Sequence, residues 1–317
     1  MLLRVPGRGE PLFFCAHMDT VAVARELTEI PLILEEDRLH TGGASVLGYD
    51  DKGGVAAMLE LAAIAAEHPG ETLPLELVFT IQEEVGLRGS RLFDASRLTA
   101  RCGFVLDNEE GVGSCLCAQP SKLAFSIEVR GKAAHAAVAP EQGINAIKAL
   151  GAIIHELPTG KIDEETVMNL GKVEGGGASN IVPDRALLSG EMRGMDEGKL
   201  QALLDHLEHT AQQTAAAFKA SVQFCWDTTY SLYRVPLDSR GARLFADACR
   251  AEGIEPHFGQ SLGGSDANHF NQKGLVCLNI GLDMRGIHSR EEFMLPSQFA
   301  RVLRLLERLI RANDQAG

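Results

Sequence analysis

Four short apolar runs in this chain each give way to an acid or an imidazole, and that pattern limits the fold more than any other feature. Leu12 to Ala16 runs into His17 and Asp19, Leu75 to Ile81 stops just before Glu83 and Glu84, Gly103 to Leu106 stops at Asp107, and Leu275 to Ile280 leads to a loop with His288. Runs this short are strands, and their lack of polar alternation predicts that both faces are covered. Gly53 to Glu67 has helical spacing and is apolar on nearly all sides, so a buried helix is expected there. Short continuous strands between helices predict a mostly parallel sheet flanked by helices.

The pattern changes near Ala118. Leu123, Phe125, Ile127 and Val129 alternate with Lys122, Ser126, Glu128 and Arg130, the period of a strand with one buried and one wet face. A helix with Ile144, Ile147, Ile154 and Leu157 follows, then strands over Val167 to Val173 and Ala186 to Arg193. A long helix carries Leu200, Leu203, Leu204, Leu207, Ala211 and Phe218, and Ser221 to Trp226 is a last strand. The order β-α-β-β-α-β is ferredoxin-like. Afterwards the first pattern returns, and Pro296 opens a final amphipathic helix. The expected fold is α/β with two domains. A mixed, mostly parallel sheet flanked by helices takes residues 1–117 and 228–317, and an inserted ferredoxin-like α+β domain takes 118–227.

The 317 residues, 45% of them hydrophobic, suffice for two cores, and the net charge of −13 argues against nucleic acid as a partner. No apolar run approaches the roughly 20 residues of a membrane span. The run Leu12 to Ala16 is too short for a signal peptide and no small-residue cleavage site follows it, so a cytoplasmic chain without a membrane partner is expected. The seven cysteines are scattered, which predicts reduced core residues.

In open α/β sheets, ligands bind outside the carboxyl ends of the strands. Here five segments deliver oxygen and nitrogen ligands to that edge: His17 and Asp19, Asp50 and Asp51, Glu83 and Glu84, Asp107, and His288. Two divalent cations about 3.5–4 Å apart need a shared carboxylate and a few terminal ligands each. Mixed His and carboxylate ligation suits catalytic zinc. A Glu-Glu pair can supply one ligand and one base, and Asp19 can reach the far nitrogen of His17 and fix its tautomer. Taken singly, each acidic pair is more often a solvated surface pair. Their joint placement at one sheet edge is what points to a centre.

His17-Met18-Asp19, Gly48-Tyr49-Asp50-Asp51-Lys52-Gly53-Gly54, Glu83-Glu84-Val85-Gly86 and the late His288 resemble, in that order, the M20 metallopeptidases. Gly131-Lys132-Ala133-Ala134-His135-Ala136, Ser179-Asn180-Ile181-Val182-Pro183 and Gly263-Gly264-Ser265-Asp266-Ala267-Asn268 extend the match, which looks most like the peptidase T-like branch. The resemblance implies a zinc-peptidase-like sheet domain, with the insert serving as a lid and as the contact of a homodimer. It implies two Zn2+, with Co2+ or Mn2+ as substitutes: His17, Asp50 and Asp107 would hold one and Asp50, Glu84 and His288 the other, with Asp50 bridging. It also implies a cis peptide between Asp50 and Asp51, Glu83 as general base, and His135 stabilising the oxyanion. Asn180, Arg193, Gly264 and Ser265 would contact the substrate.

The activity so implied is hydrolysis of an amide bond in a small peptide, as by an aminopeptidase. An N-acyl-amino-acid deacylase or a carboxypeptidase uses the same machinery, and a metal- or peptide-binding protein without turnover is the alternative of another class. The chain departs from the family pattern at three places. Leu262 stands where tripeptidases carry an Arg, and Asp107 where some relatives use Glu. His17 comes almost at once, whereas the family carries a longer leading segment with a helix, so a sheet lacking one covering helix is expected.

Overall fold

The computed structural model describes residues 1–21 and 29–311. It divides into two compact units, Met1–Gln119 with Tyr233–Gly317, and Pro120–Leu232. Both boundaries fall slightly later than the limits expected from sequence. The strand Ser114–Gln119 still pairs within the first unit's sheet, and the last strand of the insert runs past Trp226 to Tyr230.

The first unit begins with β1 (Leu2–Val5), β2 (Leu12–His17), β3 (Ile33–Glu35), β4 (Arg38–His40), α1 (Tyr49–Glu67), β5 (Leu75–Thr80), α2 (Arg88–Leu92), β6 (Cys102–Asn108) and β7 (Ser114–Gln119). The second unit holds β8 (Ser121–Arg130), α3 (Ala146–Glu156), β9 (Gly160–Asp163), β10 (Thr166–Gly175), β11 (Arg185–Gly194), α4 (Glu197–Ala217) and β12 (Ser221–Tyr230). The first unit resumes with β13 (Tyr233–Arg234), α5 (Arg240–Ala251), β14 (His257–Gln260), α6 (Asp266–Gln272), β15 (Val276–Gly281), β16 (Phe293–Met294) and α7 (Pro296–Ile310).

The large sheet of the first unit has the order β1-β5-β2-β6-β15-β7-β13, with β14 beside β7. Its centre, β5-β2-β6-β15, is parallel, and β1, β7 and β13 join antiparallel. Every residue of β2 and β5 is buried, as their mostly apolar sequences require of strands covered on both faces, and the buried Glu76 of β5 is satisfied by Arg4 and by the N–H groups of Thr99 and Ala100. Neighbouring side chains show the two layers: the Phe13 ring packs on Phe270 of α6, 5.0 Å between centroids, while Phe14 turns to Phe104 on the opposite face, where α5 lies. His17 pairs with Thr80 across β2 and β5, and Gly281 with Asn108 across β15 and β6. The four parallel strands therefore end at one edge, where Asp19, Glu83, Asp107 and His288 follow or finish them.

Helix α1 corrects one expectation. It buries Gly54, Ala57, Met58, Leu61 and Ala65, but Leu59 is 55% exposed, so one side faces outward despite its apolar sequence. Small alanines carry much of that helix, and their spacing hides its amphipathic face from a hydropathy reading. Asp50 and Asp51 have non-helical backbone angles, so regular helix starts about where the sequence placed it.

The second unit is an antiparallel sheet of order β12-β8-β11-β10-β9. Its four long strands follow the ferredoxin-like order, and Ile127, Leu188 and Met192 pack with Ala149 and Ile153 of α3 and Leu204 and Leu207 of α4. Strand β9, an extra edge strand too short to show a period, was not foreseen. Among the described residues no helix is long and apolar enough to cross a membrane. The cysteines are unpaired, and five of the seven are buried.

Candidate metal centre

The edge where the parallel strands end gathers two overlapping sets of ligand atoms. His17, Asp50 and Asp107 form one, and Asp50, Glu84 and His288 the other, each within a span of 4.8 Å. Asp50 belongs to both, and its two oxygens divide between them. Oδ1 lies 3.0 Å from Nε2 of His17, and Oδ2 lies 3.1 Å from Nε2 of His288. His17 Nε2 is also 3.8 Å from Asp107 Oδ1, and His288 Nε2 is 3.2 Å from Glu84 Oε2. The peptide between Asp50 and Asp51 is cis, as the resemblance implied.

Each of these side chains is held by a specific local device. His17 ends β2 and is almost fully buried, and its backbone N–H donates to Asp51 Oδ2 at 3.0 Å. Asp51 Oδ1 accepts the Gly54 N–H, also at 3.0 Å. Position 54 favours glycine, because a Cβ there would press on the Asp51 carboxylate and come within 2.6 Å of the Leu106 carbonyl. Asp107 is fixed through its backbone: its N–H donates to Asn279 Oδ1 at 3.0 Å, and the Asn279 amide donates back to its carbonyl at 2.9 Å. The Asp50 N–H donates to Glu292 at 3.1 Å. Glu83 and Glu84 follow β5, and their backbone N–H groups donate to Asp19 Oδ1 and Oδ2 at 3.2 and 3.3 Å.

That last contact adds to the role read for Asp19. The Nδ1 of His17 meets the Asp19 backbone carbonyl at 3.0 Å, and the carboxylate stands off at 3.6 Å. The chain turns after His17, so the carbonyl reaches the ring while the side chain points at the Glu83 and Glu84 amides.

The electrostatics are those of a centre short of positive charge. Burial, then the charges of Glu83 and Asp51, push the Asp107 carboxyl well above its usual range. Burial also raises Asp51, and burial with the Asp50 charge raises Glu84. Glu83 is pushed up to about 8, first by burial and then by the charge of Asp266. His17 is the counterpart: burial alone would lower it, but the Asp50 hydrogen bond and the charges of Asp107, Asp51 and Glu83 prevail and raise it to about 11. Glu84 Oε1 is a buried oxygen with no hydrogen-bond partner. Crowded carboxylates, two imidazoles and an orphaned buried oxygen are a donor set that fits divalent cations.

Comparison with known proteins places this arrangement in a family. A model of peptidase family M20/M25/M40 matches residues 13–312. The chain belongs to that family. It is a hydrolase of the M20 type, in the peptidase T-like branch, with the M20 fold of a central sheet domain and an insert. The crystal structure of an aminopeptidase PepT from Bacillus cereus superposes with a TM-score of 0.83 at 30% identity, covering 98% of this chain and 83% of that one. An uncharacterized protein, YqjE of Bacillus subtilis, is 32% identical over 285 residues, 90% of this chain and 76% of YqjE. Carboxypeptidase G2 of a Pseudomonas species is 28% identical over 321 residues, 97% of this chain and 75% of that enzyme.

The remaining M20 motifs lie as follows. His135 is exposed in the second unit, and its Nδ1 accepts the N–H groups of Ala137 and Val138, both at 3.2 Å. Two donors on Nδ1 leave the proton on Nε2. Asn180 is exposed in the neighbouring loop, and its carbonyl accepts the Ala136 N–H at 2.9 Å. Arg193 lies on β11 beside Glu191, with Nε 2.9 Å from Oε1. In the first unit Gly264 is partly exposed, whereas Ser265 is buried. The Ser265 hydroxyl donates to Gln119 Oε1 at 2.6 Å and caps α6, so its side chain is engaged within the fold.

Three contributors to the site escaped the sequence reading. Asn279 sits inside an apolar run, where one amide reads as a tolerated polar residue. Glu292 follows Glu291 and reads as half of a surface pair. Asp266 is buried, accepts from Thr80 Oγ1 at 2.5 Å, and has one oxygen without a partner. For Asp266 the Gly-Gly-Ser-Asp run was an available signal.

Proposed function

We propose that the chain hydrolyses an amide bond in small peptides, as an aminopeptidase of the peptidase T type, with two divalent cations, Zn2+ by its ligand set, bridged by Asp50. The observation that carries this reading is the division of the Asp50 oxygens between His17 and His288. His17, Asp50 and Asp107 hold one cation and Asp50, Glu84 and His288 the other. Bound there, the pair would polarise the scissile carbonyl and make water acidic near neutrality.

Glu83 adjoins the ligand Glu84 but is outside both ligand sets. Its carboxylate takes the proton from the attacking water and returns it to the departing amine. Asp19 holds the backbone of both glutamates, so ligand and base keep a fixed spacing. His135 supplies an Nε2–H donor for the developing oxyanion, its tautomer set by the Ala137 and Val138 amides. Asn180, Arg193 and Gly264 contact the substrate, and the second unit serves as lid and as the contact of a homodimer.

The likeness to carboxypeptidase G2 over nearly the whole chain supports a second reading, release of an amino acid from the carboxyl end or from an N-acyl group. One experiment separates the readings. The zinc- or cobalt-loaded chain is given di- and tripeptides with free and blocked ends and N-acyl amino acids, beside Glu83→Ala. Turnover of free-amine peptides, reduced at least ~100-fold by the substitution, supports the aminopeptidase. Turnover of amine-blocked substrates favours the second reading, and turnover that survives Glu83→Ala rejects both.

A further inference from the structure

We propose that Glu292 is a positioning residue that ties the bridging Asp50 to the loop carrying His288; the inference rests on the two-cation reading above. Glu292 is 2% exposed, and a buried carboxylate is costly unless its oxygens are satisfied. Both are. Oε2 accepts the Gly48 N–H at 2.7 Å and Oε1 accepts the Asp50 N–H at 3.1 Å. Gly48 has φ 75, a left-handed conformation in the turn that leads into Asp50. One carboxylate thus clamps this turn from a segment more than two hundred residues away.

That segment also carries His288. The Phe293 N–H donates to the Arg285 carbonyl at 3.0 Å and closes a loop, within which the Ser289 hydroxyl bonds to the Gly286 carbonyl at 2.7 Å. His288 has φ 59, a conformation a non-glycine residue keeps only when its surroundings impose it. Its ring is 52% exposed and reaches Asp50 and Glu84. Glu292 therefore anchors one end of the loop to the backbone of the very residue whose side chain His288 meets. His17 and Asp107 have their own anchors in Asp51 and Asn279. Loss of Glu292 thus weakens most the position formed by Asp50, Glu84 and His288, where it frees two of the three side chains, and less the one with His17, which shares only Asp50 with it.

The test is zinc titration of the metal-free wild type and of Glu292→Gln and Glu292→Ala, followed by cobalt absorbance and by the thermal midpoint of the metal-free proteins. The Gln variant keeps the shape but sets an NH2 against one of the two N–H donors. The expected result is two equivalents on the wild type, with one of them weakened about 10–100-fold in the variants. The metal-free midpoint of the Gln variant, which loses one of the two bonds, should fall less than that of the Ala variant, which loses both. Two equivalents at wild-type affinity overturn the proposal. So does equal weakening of both with a lowered metal-free midpoint, the mark of a merely structural residue. A wild type that binds fewer than two equivalents overturns the two-cation reading itself, and shows this before any variant is compared.

Discussion

Asp19 meets His17 through its backbone: the carbonyl is 3.0 Å from the imidazole Nδ1, and the carboxylate, 3.6 Å away, is turned to the amides of Glu83 and Glu84. A carbonyl accepts only, so Nδ1 carries a proton, and Nε2, which gives its own proton to Asp50 in the metal-free chain, is the nitrogen a cation would take. Removing the Asp19 side chain should therefore leave the His17 position intact and disturb the base. Asp19→Ala is expected to retain two metal equivalents by elemental analysis while turnover falls about 10–100-fold. Asp19→Asn, which keeps one acceptor oxygen, should fall less. Loss of one metal equivalent in Asp19→Ala would contradict this assignment.

Individual ligand deletions should follow the division of Asp50. His17→Ala and His288→Ala are each expected to lose one equivalent, and Asp50→Ala both. A double variant of His17 and His288 that still binds zinc stoichiometrically would show that the ions sit elsewhere.

The crowding of carboxyls makes a pH prediction. Glu83 is raised from 4.5 to about 8 and His17 from 6.5 to about 11. Both hold their protons more tightly in the folded than in the unfolded chain, so their contribution is complete below the unfolded values and fades as pH climbs towards the folded ones. Asp51, Asp107 and Glu84 are shifted upward too and act in the same sense. The metal-free chain should lose thermal stability between about pH 5 and pH 8, and zinc, by replacing the protons, should remove that loss. Scanning calorimetry with chelator and with zinc compares the two slopes. A metal-free midpoint that rises with pH across this window would contradict the account.

Gly54 gives a prediction on folding. An alanine there would press on the Asp51 carboxylate and on the Leu106 carbonyl. Gly54→Ala should cost about 1–3 kcal/mol in denaturant unfolding of the metal-free chain. An unchanged midpoint would mean that the start of α1 is looser than its contacts indicate.

Most of the grouped side chains are legible in the sequence, because the apolar runs of β2, β5, β6 and β15 have no polar alternation and each leads to one of the acids or imidazoles gathered at the sheet edge. The period of two in β8 marked the insert equally well. What escaped has physical reasons. Strands β9, β13 and β16 are too short to show a period, and α1 hides its open face among alanines. Asn279 and Glu292 meet the centre only through partners distant in sequence. Spacing shows that the Asp19 side chain can reach the His17 ring, and not that the turn after His17 brings the backbone carbonyl closer still.

The central claim is that Asp50 bridges two cations, and anomalous scattering from a zinc-bound crystal tests it most directly. The account predicts two peaks on either side of Asp50, about 3.5–4 Å apart, one beside His17 and Asp107 and the other beside Glu84 and His288. A single peak, or peaks that leave one oxygen of Asp50 without a cation, would contradict it.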